Sequence, residues 1–249
     1  SFTFNNTQGS LNVTNQGTGI YMQGGSVSIK GSETVIKAVS DDGLKGNSAV
    51  SVSIEKNNDN NTLDFGAEKT LLHGKTAGLY ISDGGRFSDG DSDMNSYTGD
   101  TMVNFAGDTV ITAVGGEYGS DAVYSDVGAK INFDKQVVLK ASTAEDGSSA
   151  HGAEILYGSV LTAKDGLTVA VSTTGKTDAY SYPADAVGLK TLGAGSKIDV
   201  TGATLITAKT NSGIATGVRN WNDGELGLKG AFAADVSSKS GEAIGLYNY

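Results

Sequence analysis

The sequence predicts an all-β fold: a right-handed parallel β-helix (β-solenoid) of about seven coils, each with three short strands, and loops inserted between the strands. Three observations predict it. A three-part phrase returns every 28 to 40 residues. Two strand signatures within each phrase stay 6 to 8 residues apart, so the length variation falls in the connections. The composition, 36 Gly with 1 Pro and no long amphipathic stretch, supplies turns and strands rather than helices. The hand follows from the rule that parallel strands join by right-handed crossovers. Residues 1–249 form a single domain on this reading.

The first part of the phrase is a small residue, an apolar residue and often Tyr: Ile20, Val50, Leu79, Val123, Ala153, Val187, Val218 and Leu246 mark it, with Val50 and Ala153 the poorest matches. The second part alternates apolar and polar residues and usually ends on Gly, as a short strand does before a turn. It occurs at Val27/Ile29, Leu63/Phe65, Val103/Phe105, Ile131/Phe133, Leu161/Ala163, Ile198/Val200 and Leu226/Leu228. The third part is an apolar pair: Val35–Ile36, Leu71–Leu72, Val110–Ile111, Val137–Val138, Val169–Ala170, Leu205–Ile206 and Ala233–Ala234. One coil cannot bury its own inner face, so like residues must stack on the next coil at a strand spacing of about 4.8 Å. The chain opens at Phe2/Phe4, inside a second part, and closes at Leu246 and Tyr247, inside a first part. Core-type residues at both ends lead us to expect a segment of a longer repeat array.

Composition narrows the function. With 28 acids against 18 bases the net charge is −10, the wrong sign for nucleic acid or an anionic lipid surface. No apolar run approaches the roughly 18 residues of a membrane-spanning helix, so no direct membrane insertion by this segment is expected. The opening SFTFNNTQGS has neither the basic nor the apolar region of a secretory leader. The count of 0 Cys excludes disulfides and thiolate metal sites.

The "AGLY" and "IGLY" phrases and the strands "INFDK", "KIDVTG" and "LGLKG", in a Gly-rich, Cys-free, acidic chain, resemble the passenger domains of Gram-negative autotransporters. The resemblance covers the whole chain but is one of class, because no motif marks a single member. It implies a right-handed parallel β-helix secreted through an outer-membrane barrel and displayed at the cell surface. Members of the family are mostly adhesins, self-associating proteins, toxins or proteases.

Several residue groups are candidates for chemistry. The insertion Ser82–Asp100 holds Asp89, Asp91, Asp93, Asn95 and Asp100 at positions 1, 3, 5, 7 and 12 of a calcium-loop template. Met94 stands where that template needs Gly, and Asp100 replaces its bidentate Glu, so a solvated acidic loop competes with a calcium site. The Gly90–Asp93 "GDSD" lacks a strained nucleophile elbow, and neither His73 nor His151 sits beside a convincing acid. Asp64, Asn104, Asn132 and Asp199 share the polar position of the second part; they read as a structural ladder, without a carboxylate pair on adjacent coils. Trp221, Tyr180 and Tyr182 lie among polar residues and suit sugar stacking or protein contact. Arg219 beside Trp221, and Arg86 and Tyr97 in the acidic insertion, complete the candidate ligand-binding set. Tyr21, Tyr80, Tyr124 and Tyr247 recur at one repeat position and are expected to stack along the fold.

The expected function is that of a cell-surface adhesin or passenger module, not an enzyme. It would attach to a host protein or glycan, or to another copy of itself, through loops 82–101, 143–151 and 173–185 or a polar face. No resident cofactor is expected apart from calcium in the acidic loop. The alternatives are a polysaccharide lyase or glycoside hydrolase, and a structural stalk.

Overall fold

A computed structural model describes residues 1–38, 48–53, 60–82, 101–115, 119–126, 128–178 and 182–249. These form strands and turns, with no helix among the described residues. In chain order the first strands are β1 (Phe2–Asn15), β2 (Ile20–Gln23), β3 (Gly25–Ala38), β4 (Ser48–Ser53), β5 (Asn61–Phe65), β6 (Lys69–Gly74) and β7 (Ala77–Ser82). There follow β8 (Met102–Phe105), β9 (Asp108–Val114), β10 (Ser120–Ser125), β11 (Lys130–Phe133), β12 (Val137–Thr143), β13 (Ala150–Leu156), β14 (Val160–Ala163) and β15 (Leu167–Thr173). The last are β16 (Ala186–Leu192), β17 (Lys197–Val200), β18 (Thr204–Thr210), β19 (Ala215–Trp221), β20 (Glu225–Leu228), β21 (Phe232–Ser238) and β22 (Ala243–Asn248).

The expected fold class is corrected by how these strands pair. They form two parallel sheets, not three stacks of short strands. A 14-stranded sheet runs β20-β17-β14-β11-β8-β5-β3-β6-β9-β12-β15-β18-β21, with β1 joined to β3 off this path. An 8-stranded sheet runs β2-β4-β7-β10-β13-β16-β19-β22. The long path doubles back at β3, so its ends, β20 and β21, are consecutive strands and the circuit is nearly closed. All-parallel pairing in a near-closed circuit is shared with α/β barrels, but here no helix covers it. The β-helix expectation usually ended the second-part strand on a Gly. Instead Gly31 stays in the ladder opposite Asn6, and β1 and β3 each run through 14 residues, fusing the second and third parts of the phrase into one sheet.

The core is built by stacking like on like. Ile29, Phe65, Phe105 and Phe133 are in register on β3, β5, β8 and β11, and all are buried. The Phe65, Phe105 and Phe133 rings stack at successive centroid distances of 4.8 Å, the strand spacing itself. The third part contributes Ile36, Leu72, Ile111, Leu139, Val169 and Ile206 as its buried row. Two of its sequence assignments shift by one residue, since Val138–Leu139 and Thr168–Val169 are the pairs in register with Val110–Ile111. In the first part, Val50 and Ala153 fall in register with Leu79 and Val123. There it is Leu189, not Val187, that continues the row.

Candidate functional site

The 8-stranded sheet carries the site because its strands break strict alternation at one row of small residues. Gly78, Ala122, Gly152, Gly188, Gly217 and Gly245 occupy that row. A Cβ at Gly152 would lie 2.2 Å from Val169 Cγ1 and 2.4 Å from the Gly188 carbonyl oxygen. The local irregularity puts residues three apart on the same face: His151 and Glu154 meet across it, with Nδ1 3.4 Å from Glu154 Oε2. Parallel pairing then sets Asp121 directly opposite His151, and Glu154 opposite Lys190.

The result is a chain of paired charges. His151 Nδ1 lies 2.7 Å from Asp121 Oδ1, and Lys190 Nζ donates to Glu154 Oε1 at 2.5 Å. Burial disfavours the His151 imidazolium, but the Glu154 and Asp121 carboxylates outweigh it and hold its pKa above the ordinary histidine value. Burial pushes the Asp121 carboxyl up, and its contact with His151 only partly offsets that. Burial acts the same way on Glu154, yet His151 and Lys190 prevail and keep it below the usual carboxylate range. The row continues on both sides of this group. Tyr124 stacks on Tyr80 at 5.0 Å and donates to Asp126 Oδ2 at 3.0 Å. In the other direction Lys190 is followed by Arg219 and Tyr247.

Arg219 borders a recess of about 330 Å³ lined by Asp185, Ile214, Arg219, Trp221, Glu242, Ile244 and Tyr247. Its guanidinium donates to Thr216 Oγ1 at 3.3 Å and lies 3.8 Å from Asp185 Oδ2. Asp185 Oδ1 in turn accepts the Ile214 N–H at 2.7 Å. Trp221 ends β19, and the turn after it is made by Asn222 and Asp223 at φ 48° and 64°, a region Asn and Asp enter more readily than most residues. That turn leaves the indole 39% exposed and edge-on to Tyr249 at 6.2 Å.

Of the candidates read from the sequence, the structure brings Trp221 and Arg219 together in the recess. Tyr182 is exposed and is not among the lining residues. Tyr180, Arg86, Tyr97 and the calcium-loop residues Asp89, Asp91, Asp93, Asn95 and Asp100 lie outside the described residues, as does the Gly90–Asp93 motif. The polar ladder is present: Asn104 donates to Asp64 Oδ1 at 2.7 Å and Asn132 to Asn104 Oδ1 at 2.9 Å. Asp199 lies beyond Thr162 in the same row and accepts from Lys229 at 2.9 Å. Tyr80 and Tyr124 stack as expected, whereas Tyr247 lines the recess.

One sequence expectation is corrected, that His151 stands beside no convincing acid. His151 sits on strand β13 between two acids, and Asp121 and Glu154 are carboxylates on neighbouring strands. The signal was present as "SDAVY" and "AHGAE", but it becomes visible only when the two phrases are set in register. Among the described residues, Asp121, His151 and Glu154 form a group that could hold a metal ion, their ligand atoms lying within 4.8 Å of one another. No protein-family model, no curated protein and no solved structure matches this chain.

Proposed function

We propose that the chain is a binding module displayed at a bacterial cell surface, and that the recess beside Trp221 takes a polar glycan. The recess itself carries this reading. An exposed indole and the Tyr247 ring provide apolar faces for a sugar, while Arg219, Asp185 and Glu242 provide charged donors and acceptors around them. The acidic surface, with a net charge of −10, favours neutral or cationic ligands over polyanions. Attachment to a protein, or to another copy of the chain, would use the same face. Glycan cleavage is disfavoured because Asp121 and Glu154, the carboxylates on adjacent strands, are already committed to His151 and Lys190. Calcium in the Asp89–Asp100 loop is a separate part of the proposal.

The test is binding of the folded chain to an array of host glycans and matrix proteins, with calcium and with chelator. A glycan hit should weaken at least about tenfold in Trp221→Ala, a loss of ~1.4 kcal/mol, with the denaturation midpoint unchanged. A hit that ignores Trp221→Ala, or an array left blank by folded protein, overturns the glycan reading. A hit lost with chelator and restored by calcium but not by zinc would assign the contact to the acidic loop instead.

A further inference from the structure

We infer that Asp121, His151 and Glu154 form a site for a zinc-class dication, independent of the glycan recess. The three come from two adjacent strands, β10 and β13, and converge on one imidazole nitrogen. His151 Nδ1 faces Asp121 Oδ1 at 2.7 Å and Glu154 Oε2 at 3.4 Å. A single proton on Nδ1 makes one good hydrogen bond, so it serves Asp121 and leaves Glu154 Oε2 at the limit of reach. A dication satisfies both carboxylates at once.

The spacing fits. Ligand atoms about 2.0–2.1 Å from zinc at tetrahedral angles lie about 3.3 Å apart. The His151–Glu154 edge, at 3.4 Å, already has that length. The His151–Asp121 edge, at 2.7 Å, must open by about half an ångström, which a rotation of a surface-reaching carboxylate supplies. Glu154 divides its labour: Oε1 receives the Lys190 ammonium and Oε2 points to His151, so Lys190 orients the carboxylate from outside the ligand set. The imidazole selects zinc or a neighbouring first-row ion over calcium or magnesium, which prefer all-oxygen shells. Three protein ligands leave one position for water. The His151 and Asp121 side chains are 16% and 19% exposed, so the group is partly in contact with solvent. Binding releases the Nδ1 proton to solvent, so uptake strengthens as pH rises.

The experiment titrates zinc alone into the purified full chain and follows it by calorimetry and by imidazole nitrogen NMR. The chain has 2 His, His73 and His151, so the spectra report which ring coordinates without any mutation. We expect one equivalent bound, a coordination shift at His151 Nδ1 with His73 unchanged, and at least a tenfold loss of affinity in Asp121→Asn and Glu154→Gln. His73→Gln, on strand β6 and outside the ligand set, should retain the equivalent. Absence of uptake by folded wild-type protein overturns the inference, and so does uptake that leaves the His151 resonance unmoved. Zinc binding with a blank glycan array would sink the glycan reading alone.

Discussion

Protonation of His151 places a cation between Asp121 and Glu154, so folding should couple to its titration. Because its pKa is raised, the imidazolium contributes stability that is fully present below the unfolded value of 6.5 and is lost as pH rises through the folded value. His73 has the opposite sense. Burial, and then the Lys37 charge, lower its pKa from 6.5, so it weakens the fold as pH falls below that value. Glu154, lowered from 4.5, adds stability above 4.5 that is lost as pH falls through its folded value. Asp121, raised from 3.8, loses its contribution as pH climbs from 3.8 through its folded value. The two carboxylates therefore act in opposite senses, and His151 and Asp121 both lose their contribution as pH rises. In metal-free buffer the denaturant midpoint should fall as pH is raised from about 6.5 to 9, and His151→Gln should flatten that fall. An equal slope in the variant would show that the network does not couple to folding.

At the scale of a strand, the row of small residues in the 8-stranded sheet sets both packing and site. A Cβ at Gly188 would lie 2.4 Å from the Gly217 carbonyl oxygen and 2.4 Å from Ile206 Cγ2, one a backbone atom of the next strand and the other a core side chain. Gly245, in the same row, has nothing within 4 Å of an added Cβ. Gly188→Ala should cost about 1–3 kcal/mol through overpacking, and Gly245→Ala should stay within about 0.5 kcal/mol. Urea denaturation of the pair checks this, and equal losses would refute the close-approach account.

The same strands explain what could be read in advance. The second part was legible because a polar residue separates its two apolar ones, as in Leu63-Asp64-Phe65, so its phase is unambiguous. The third part slipped by one at Val137–Val138 because three apolar residues in a row, Val137 to Leu139, leave no polar marker of which faces inward. In the first part the tripeptide Asp-Ala-Val recurs at Asp121–Val123 and Asp185–Val187, which suggested equivalence. The ladder instead sets Ala186 opposite Ala150, itself opposite Ser120, two residues out of phase. An error of that size, between β13 and β16, hides Lys190 from Glu154, whereas the Val123–Ala153 register already sets Asp121 opposite His151. The Trp221 and Arg219 pair was legible because both lie in one short phrase, whereas Glu242 and Tyr247 reach the recess from the next repeat.

Across the whole molecule, among the described residues, the strands of each repeat pair with those of the repeats before and after it, along the two arms of the 14-stranded sheet and along the 8-stranded sheet. The ladder β13-β16-β19 puts Ala150 opposite Ala186 and Ala186 opposite Ala215. Deleting residues 186–214 therefore removes one strand from each row and brings β19 to β13, β20 to β14 and β21 to β15 in unchanged phase. Glu154 then faces Arg219 where it had faced Lys190, so the carboxylate keeps a cationic partner. Because the strands on either side of the deletion meet in unchanged phase along the ladders, the shortened chain should still fold. Its unfolding should be cooperative, with a denaturant m-value reduced in proportion to the surface no longer buried. Zinc uptake should persist, since Asp121, His151 and Glu154 lie before the deletion, while the recess loses Asp185's present neighbour Ile214 and should bind more weakly. If the near-closed circuit instead demands its full complement of strands, the deletion variant will fail to show cooperative unfolding at all.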